Sequence, residues 1–481
     1  MKRLLKMMLP AALTVSMLAG CSFGGSSDPK KNEQASIKVM YYDEQQFFRD
    51  YGMLFSALYP NIDIEVVSTQ TVRYEEGKDM EAEMMKFIEE NQPDVLMLDS
   101  EQYEKMAAEG KLYDLETRMS QEKYNTENIV PGLIDYLKEK GGGKLYGMVP
   151  DFYGQALYYN KDLFDKYNIP YPTDRMSWND VLQLARMFPT DGSDKDRVYG
   201  LKMSYDKSLF QIGNTIGNTN GLSFVNANKK EVTINTDGWK SVFQTALDAI
   251  DSKTLYFESE NQQDAQTYED YLMSDPFISG RLAMMVEGPW MRQQIEEAEN
   301  YLKDKAEVVK NWDLVTVPVD PQNPDYSSAM SFNTIYAINA QSPSTDAAWQ
   351  FINYVTSDEY ARVASKSGFY NGFPIRTDYI KDEEGRNYAA FYALKPSTRN
   401  PYGEFDKLPS NFYMEFDGIA NQELTGVQEG TKTLDEALQS LQEKGQAALI
   451  KAEQEEQEKA KTEGATGTEE SADEAVSTPA E

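Results

Sequence analysis

Ile37-Lys38-Val39-Met40-Tyr41-Tyr42, Ile62-Asp63-Ile64-Glu65-Val66-Val67 and Asp94-Val95-Leu96-Met97-Leu98 are three strand-like runs separated by helical patterns. The first run reads as a strand, apolar apart from Lys38, the second alternates like a half-buried strand, and the third is short and apolar after Asp94. Between the first two, Phe47, Phe48, Tyr51, Phe55 and Leu58 recur at helical spacing and predict an amphipathic helix facing the sheet. Between the last two, Met84, Met85 and Ile88 predict a second helix over 79–90. Strand, helix, strand, helix, strand is the pattern of an α/β sheet with helices on both faces.

The same style continues down the chain. Ser177-Trp178-Asn179-Asp180 has the spacing of a capping box and opens a helix whose inner face is Val181, Leu184, Ala185 and Phe188. Pro343-Ser344 precedes a helix with Ala347, Ala348, Phe351, Ile352 and Val355 on one side, and Thr433-Leu434-Asp435-Glu436 opens another with Leu434, Leu438 and Leu441 inward. The predicted folded body runs from Ser36 to Lys451. Ala452 to Glu481 is Glu, Ala, Thr and Gln with few large apolar residues, which predicts an acidic tail that stays disordered after a helical start.

Composition removes whole classes of chemistry. The 481 residues contain no histidine and one cysteine, Cys21. A Ser-His-Asp triad and a His-ligated metal are therefore unavailable. The formal charge of −32 argues against nucleic acid, which is bound through stripes of Lys and Arg. Length predicts two or three domains, and the 31 tyrosines and 21 phenylalanines offer aromatic surface for a cleft as well as for cores. Nothing visible requires a cofactor or a metal.

The chain starts with Lys2, Arg3 and Lys6, an apolar run from Met7 to Leu18, and Leu18-Ala19-Gly20-Cys21. This reads as a secretory signal, too short to span a bilayer, which needs about 20 apolar residues. The cysteine after Leu-Ala-Gly resembles a bacterial lipobox. That implies removal of residues 1–20, lipidation of Cys21, a flexible linker over 21–35, and attachment to the extracellular face of the cell membrane. With Cys21 lipidated, no free thiol remains for nucleophilic chemistry.

Six strings, in order, carry a wider resemblance. They are Pro93 to Asp99; Gly110-Lys111-Leu112-Tyr113-Asp114-Leu115; Gly143-Lys144-Leu145-Tyr146-Gly147-Met148-Val149-Pro150; Leu157-Tyr158-Tyr159-Asn160-Lys161-Asp162; Gly280 to Trp290, ending Glu287-Gly288-Pro289-Trp290; and Ala347-Ala348-Trp349-Gln350-Phe351-Ile352 followed by Ser357-Asp358-Glu359. Together they resemble the bacterial extracellular solute-binding proteins of family 1, the group that includes maltose-binding protein.

The resemblance implies a two-lobed α/β fold of the type II periplasmic binding-protein kind, with a ligand cleft and three crossings between lobes. By motif the crossings fall near 151–155, 315–319 and 356–358. Lobe one is then 36–150 plus 320–356, and lobe two 156–314 plus 358–451. The implied function is a monomeric receptor that binds a carbohydrate by lobe closure and hands it to the permease subunits of an ABC transporter. A peptide or polyamine ligand, or a surface glycoside hydrolase using two carboxylates, are the competing readings.

Candidate ligand residues follow from position. The resemblance puts Trp290 in the cleft, where its ring would stack on a sugar face. Glu287 either accepts from hydroxyls or serves as a turn residue. Asp99, and Tyr42 with Asp43, follow the carboxyl ends of strands, where α/β sheets bind ligands, although Asp there also caps helices. Tyr153 and its neighbour Asp151 lie in the first crossing, and Tyr205 follows the strand Gly200-Leu201-Lys202-Met203. Tyr370 and Asn371 belong to a loop that reaches the cleft in this family. Maltose-binding proteins carry a second Trp soon after Gly-Pro-Trp, where this chain has Met291-Arg292. That weighs against maltodextrins and leaves Arg292 to meet an acidic sugar.

Overall fold

The computed structural model describes residues 34–73, 79–194, 196–261, 265–303, 307–367, 372–381, 384–399 and 407–473. Cys21, Tyr370 and Asn371 lie outside the described residues.

Two five-stranded sheets organise the chain. In the first, the spatial order is Ile62–Ser68, Ala35–Tyr41, Val95–Leu98, Ile335–Ile338, Gly147–Met148. The first three strands are parallel, and Ile335–Ile338 inserts antiparallel between Val95–Leu98 and Gly147–Met148. The second sheet runs Leu255–Phe257, Tyr199–Ser204, Leu282–Glu287, Ala156–Asn160, Trp312–Thr316, again with a parallel part and an antiparallel part. The strand runs are near-continuously apolar because both sheet faces are covered. Ala156–Asn160 shows the consequence. All five residues are buried; Ala156 and Tyr158 belong to one core cluster, Leu157 and Tyr159 to the other.

The two sheets are joined by a small third one. Asp151–Gly154 forms its central strand, flanked by Met330–Ser331 and Phe373–Pro374. One flank lies on the path from Thr316 to Ile335, so the chain crosses between sheets beside its own first crossing. The expected third crossing at 356–358 is not where the chain changes sheets. Tyr124 Oη donates to Thr356 Oγ1 at 2.8 Å, and Asn128 Nδ2 donates to Asp358 Oδ1 at 2.8 Å. Buried Arg376 then ties the segment down, donating to the Thr356 carbonyl and to Asn125 O and Asn128 Oδ1, each at 2.7 Å. Contact with the second sheet comes at Arg386, whose guanidinium lies 4.0 Å over the Trp312 ring, and at Asn387, whose N–H donates to Asp313 Oδ1 at 2.9 Å. A buried guanidinium must have its donors met, so Arg376 holds 356–376 with the first sheet.

Two further expectations are corrected. A π-turn over Phe48–Gly52 interrupts the first helix and shifts its face. Phe47, Tyr51 and Phe55 stay buried, Leu58 turns outward, and Tyr59 stacks on Phe55 at 4.8 Å in its place. The helical start expected after Lys451 extends further than a start: one helix runs Leu434–Asp473. Leu449 and Ala452 are buried against the second core, and Lys230 pairs with Glu453 at 2.7 Å. Glu, Ala, Lys and Gln are good helix formers, so docking the first turns lets the rest propagate.

Candidate functional site

The site is built where three parallel strands of the second sheet end. Leu282–Glu287 passes through Gly288 and Pro289 into the helix Trp290–Leu302. Pro289 suits this boundary because its fixed φ is already helical, −67° here. Gly288 is required by close approach: a Cβ there would lie 1.8 Å from Tyr153 Oη and 2.9 Å from Trp290 Cδ1. The buried Tyr158 hydroxyl donates to the Gly288 carbonyl at 2.8 Å and fixes the turn from below. Tyr153 and Trp290 meet at this turn, and the indole offsets part of the rise that burial imposes on the Tyr153 hydroxyl.

Beside this turn lies a cavity of about 530 Å³, a size typical of small-ligand sites. Its aromatic walls are Trp290, Tyr256, Tyr268 and Tyr271, and its polar lining includes Lys202, Glu258, Asp275, Gln294 and Glu297. Lys202 Nζ pairs with Glu258 at 3.1 Å. Asp275 accepts from the Phe277 and Ile278 N–H groups at 2.8 and 2.9 Å, while burial raises its carboxyl pKa. Met285 pairs with Lys202 across the sheet, which brings Glu287 near the same lysine. Desolvation pushes Glu287 up to about 7, against the opposing pull of Lys202. Its carboxyl thus holds its proton for part of the time at neutral pH and can donate or accept.

On the hinge strand Asp151 and Tyr153 alternate with buried Phe152 and Gly154, so the two half-buried side chains share a face. Asp151 is pushed up to about 6 by desolvation and then by Asp50, and its field reaches Tyr41, Tyr51, Tyr336 and Tyr360 of the first sheet's core. Tyr42 continues this aromatic group, edge-on to Tyr41 at 5.5 Å and half exposed. Tyr153 thus lies beside the Gly288–Trp290 turn, and Asp151 near the aromatic group that ends in Tyr42.

Other candidates fall elsewhere. Asp99 is a helix N-cap in a complete capping box, accepting from the Glu101 and Gln102 N–H groups at 2.9 and 2.8 Å. Asp43 caps Glu44–Phe47 through the Gln46 N–H at 2.8 Å and also receives Gln70 Nε2. Tyr205 is half exposed, its carbonyl held by the Ser259 N–H beside Glu258, and it is not part of the cavity wall. Arg292 pairs with Glu296 at 2.7 Å and lies 5.8 Å over the Tyr388 ring. It is not among the residues that line the cavity. Tyr256, Tyr268, Tyr271, Lys202 and Glu258 were not anticipated. The available signal was Thr267-Tyr268-Glu269-Asp270-Tyr271, a capping box with two tyrosines on one helical face. Among the described residues no acidic, His or Cys cluster is arranged to hold a metal, and no helix is long and apolar enough to cross a membrane.

Residues 31–362 match the family model described as bacterial extracellular solute-binding protein. The chain belongs to that family, whose members are binding proteins. Its fold is that of the type II periplasmic solute-binding proteins. Extracellular solute-binding protein family 1 from Alicyclobacillus acidocaldarius superposes with a TM-score of 0.61 at 15% identity, covering 87% of this chain and 99% of that one. The sugar-binding protein MalE of Xanthomonas citri gives 0.56 at 15% identity, with 86% and 98% covered. In sequence, a maltooligosaccharide ABC transporter solute-binding lipoprotein of Streptococcus pneumoniae is 21% identical over 302 residues, 62% of this chain and 63% of its own length. A protein of Brucella abortus named as a binding protein is 24% identical over 268 residues, 53% of this chain and 58% of its own. The chain thus spans less than two thirds of the length of the curated relatives it matches.

Proposed function

We propose that this protein is the lipid-anchored receptor of an ABC importer, that it captures an oligosaccharide at the Trp290 cavity by lobe closure, and that it delivers the ligand unchanged to the permease. The observation that carries the reading is the cavity wall itself. Trp290, Tyr268 and Tyr271 offer aromatic surface to apolar C–H groups, with buried Tyr256 also lining the cavity, and Gln294, Glu297 and Lys202 stand beside them to meet hydroxyls. The maltooligosaccharide relative supports a carbohydrate, and so does the Listeria monocytogenes substrate-binding protein solved with cycloalternan, similar in fold at a TM-score of 0.50. Hinge closure around the ligand suits a small sheet in which Asp151–Gly154 and Met330–Ser331 lie side by side on the first two crossings.

A second reading is favoured by one feature: Glu258, Asp275 and Glu297 line the same cavity against a single lysine, an arrangement that also suits a polyamine. A thermal-shift screen separates the two. Ligand at a hundredfold excess over Kd stabilises the native state by about 2.7 kcal/mol. The expected result is a raised Tm with an oligosaccharide and none with spermidine, and the reverse pattern overturns the carbohydrate assignment.

The anchor is tested separately. Cys21→Ala is expected to release exported protein into the medium, since stable attachment needs more than one acyl chain's worth of membrane affinity. An exported, signal-cleaved variant that still fractionates entirely with membranes contradicts the lipid anchor.

A further inference from the structure

Helix Trp290–Leu302 has two distinct faces. Met291, Ile295, Ala298 and Leu302 are buried in the core. Trp290, Gln294, Glu297 and Tyr301 follow at i, i+4, i+7 and i+11, a single stripe. The first three line the cavity, and Tyr301 lines a shallow outer depression with Gln293 and Asn300. Glu297 borders both, so the two surfaces are continuous. Across the ridge, Tyr268 bonds its hydroxyl to Glu297, packs edge-on to Tyr301 at 4.9 Å and lies nearly parallel to Tyr271 at 6.0 Å. Tyr268, Tyr271 and Tyr301 are 42, 55 and 45% exposed. These three neighbouring, partly exposed rings form one aromatic surface continuous with the cavity.

Resting on the carbohydrate reading above, we propose that this ridge is an outer subsite that holds the distal units of a linear oligosaccharide whose terminal units occupy the cavity. The stripe is about 16 Å long at 1.5 Å per residue, more than a disaccharide spans. Its chemistry is ring faces, amides and carboxylates, and the outer depression is lined by no Lys or Arg among the described residues. That combination fits a neutral, hydroxyl-rich chain and disfavours an anionic one. The ligand class is therefore a neutral linear oligosaccharide of three or more units, bound partly outside the cleft.

The test uses the full-length protein, Tyr301→Ala and Tyr301→Phe, titrated calorimetrically with disaccharides and hexasaccharides of α-linked glucose, β-linked glucose and β-linked xylose. The proposal expects the hexasaccharide of the bound series to bind more tightly than its disaccharide. It further expects Tyr301→Ala to weaken the hexasaccharide about fivefold, roughly the worth of one aromatic contact, with the disaccharide unchanged and Tyr301→Phe close to wild type. Equal losses for both lengths, or no loss for either, overturn the subsite. Unchanged affinities with impaired uptake in cells assign the ridge to the permease and also overturn it. If none of the sugars binds the wild-type protein, the carbohydrate reading itself fails, and the subsite with it.

Discussion

Trp290→Ala is expected to weaken oligosaccharide binding about thirtyfold, roughly 2 kcal/mol, the scale of an aromatic anchor in a pocket. The ring is not a free plate. It is half-buried, packs on the first core, and lies against the Gly288 turn beside Tyr153. Truncation therefore also lowers stability, but by less than the 3–5 kcal/mol typical of a fully buried Trp; about 1–2 kcal/mol is expected. Calorimetric titration and a melt of the same variant separate the two effects. A thirtyfold loss of affinity with a modest drop in Tm supports a cleft wall anchored at its edge. A collapsed Tm with near-normal affinity in the surviving fold places the ring in the core alone.

The largest expected stability effect lies far from the cleft. Glu423 is 1% exposed, and its carboxylate receives Lys432 and, at 2.6 Å, Lys444. Burial opposes ionisation there, yet the bonds from the two lysines and Ser440 win and hold the carboxyl down at about 2. The lysines are themselves 37 and 52% exposed. Replacing both with Met strands a buried carboxylate, which costs about 3–5 kcal/mol near neutral pH. The pH dependence also changes sign. In the wild type the folded pKa lies below the unfolded value, so this contribution is full above about pH 4.5 and is lost as pH falls toward 2. In the double variant desolvation is opposed only by the bond to Ser440, the folded pKa rises above the unfolded one, and the deficit shrinks as pH falls through that range. Urea midpoints of both proteins at pH 4 and 7 check this. A difference independent of pH shows that Glu423 is not buried as an ion.

The α/β architecture was legible because a buried parallel strand such as Val95–Leu98 is written as an unbroken apolar run, and Ser177 to Asp180 states its capping box outright. The hinge sheet was less so. Asp151–Gly154, Met330–Ser331 and Phe373–Pro374 are short strands brought together from distant parts of the chain, and two-residue strands have no period to read. The shift of the third crossing depends on Arg376, an arginine whose burial no local pattern announces.

The site was legible in part. Gly288-Pro289-Trp290 stood out, and its link to Tyr153 follows from a glycine that leaves room for a phenol. Asp43 and Asp99 show the limit: an aspartate after a strand serves a ligand or a helix N-terminus equally well in sequence, and only the hydrogen bonds decide. Tyr268 and Tyr271 were hidden among 31 tyrosines, since exposure rather than identity marks them.

The central claim is that the cavity binds an oligosaccharide and leaves it intact. Glu287, with its carboxyl at about 7, and nearby Glu258 and Asp275 make cleavage the sharpest alternative. The most direct measurement is therefore calorimetric titration with oligosaccharides, followed by chromatography of the same sugar after prolonged incubation with the protein. Saturable one-to-one binding with the sugar recovered at its original length is the predicted result. Shortened products that disappear in Glu287→Gln would contradict the receptor account.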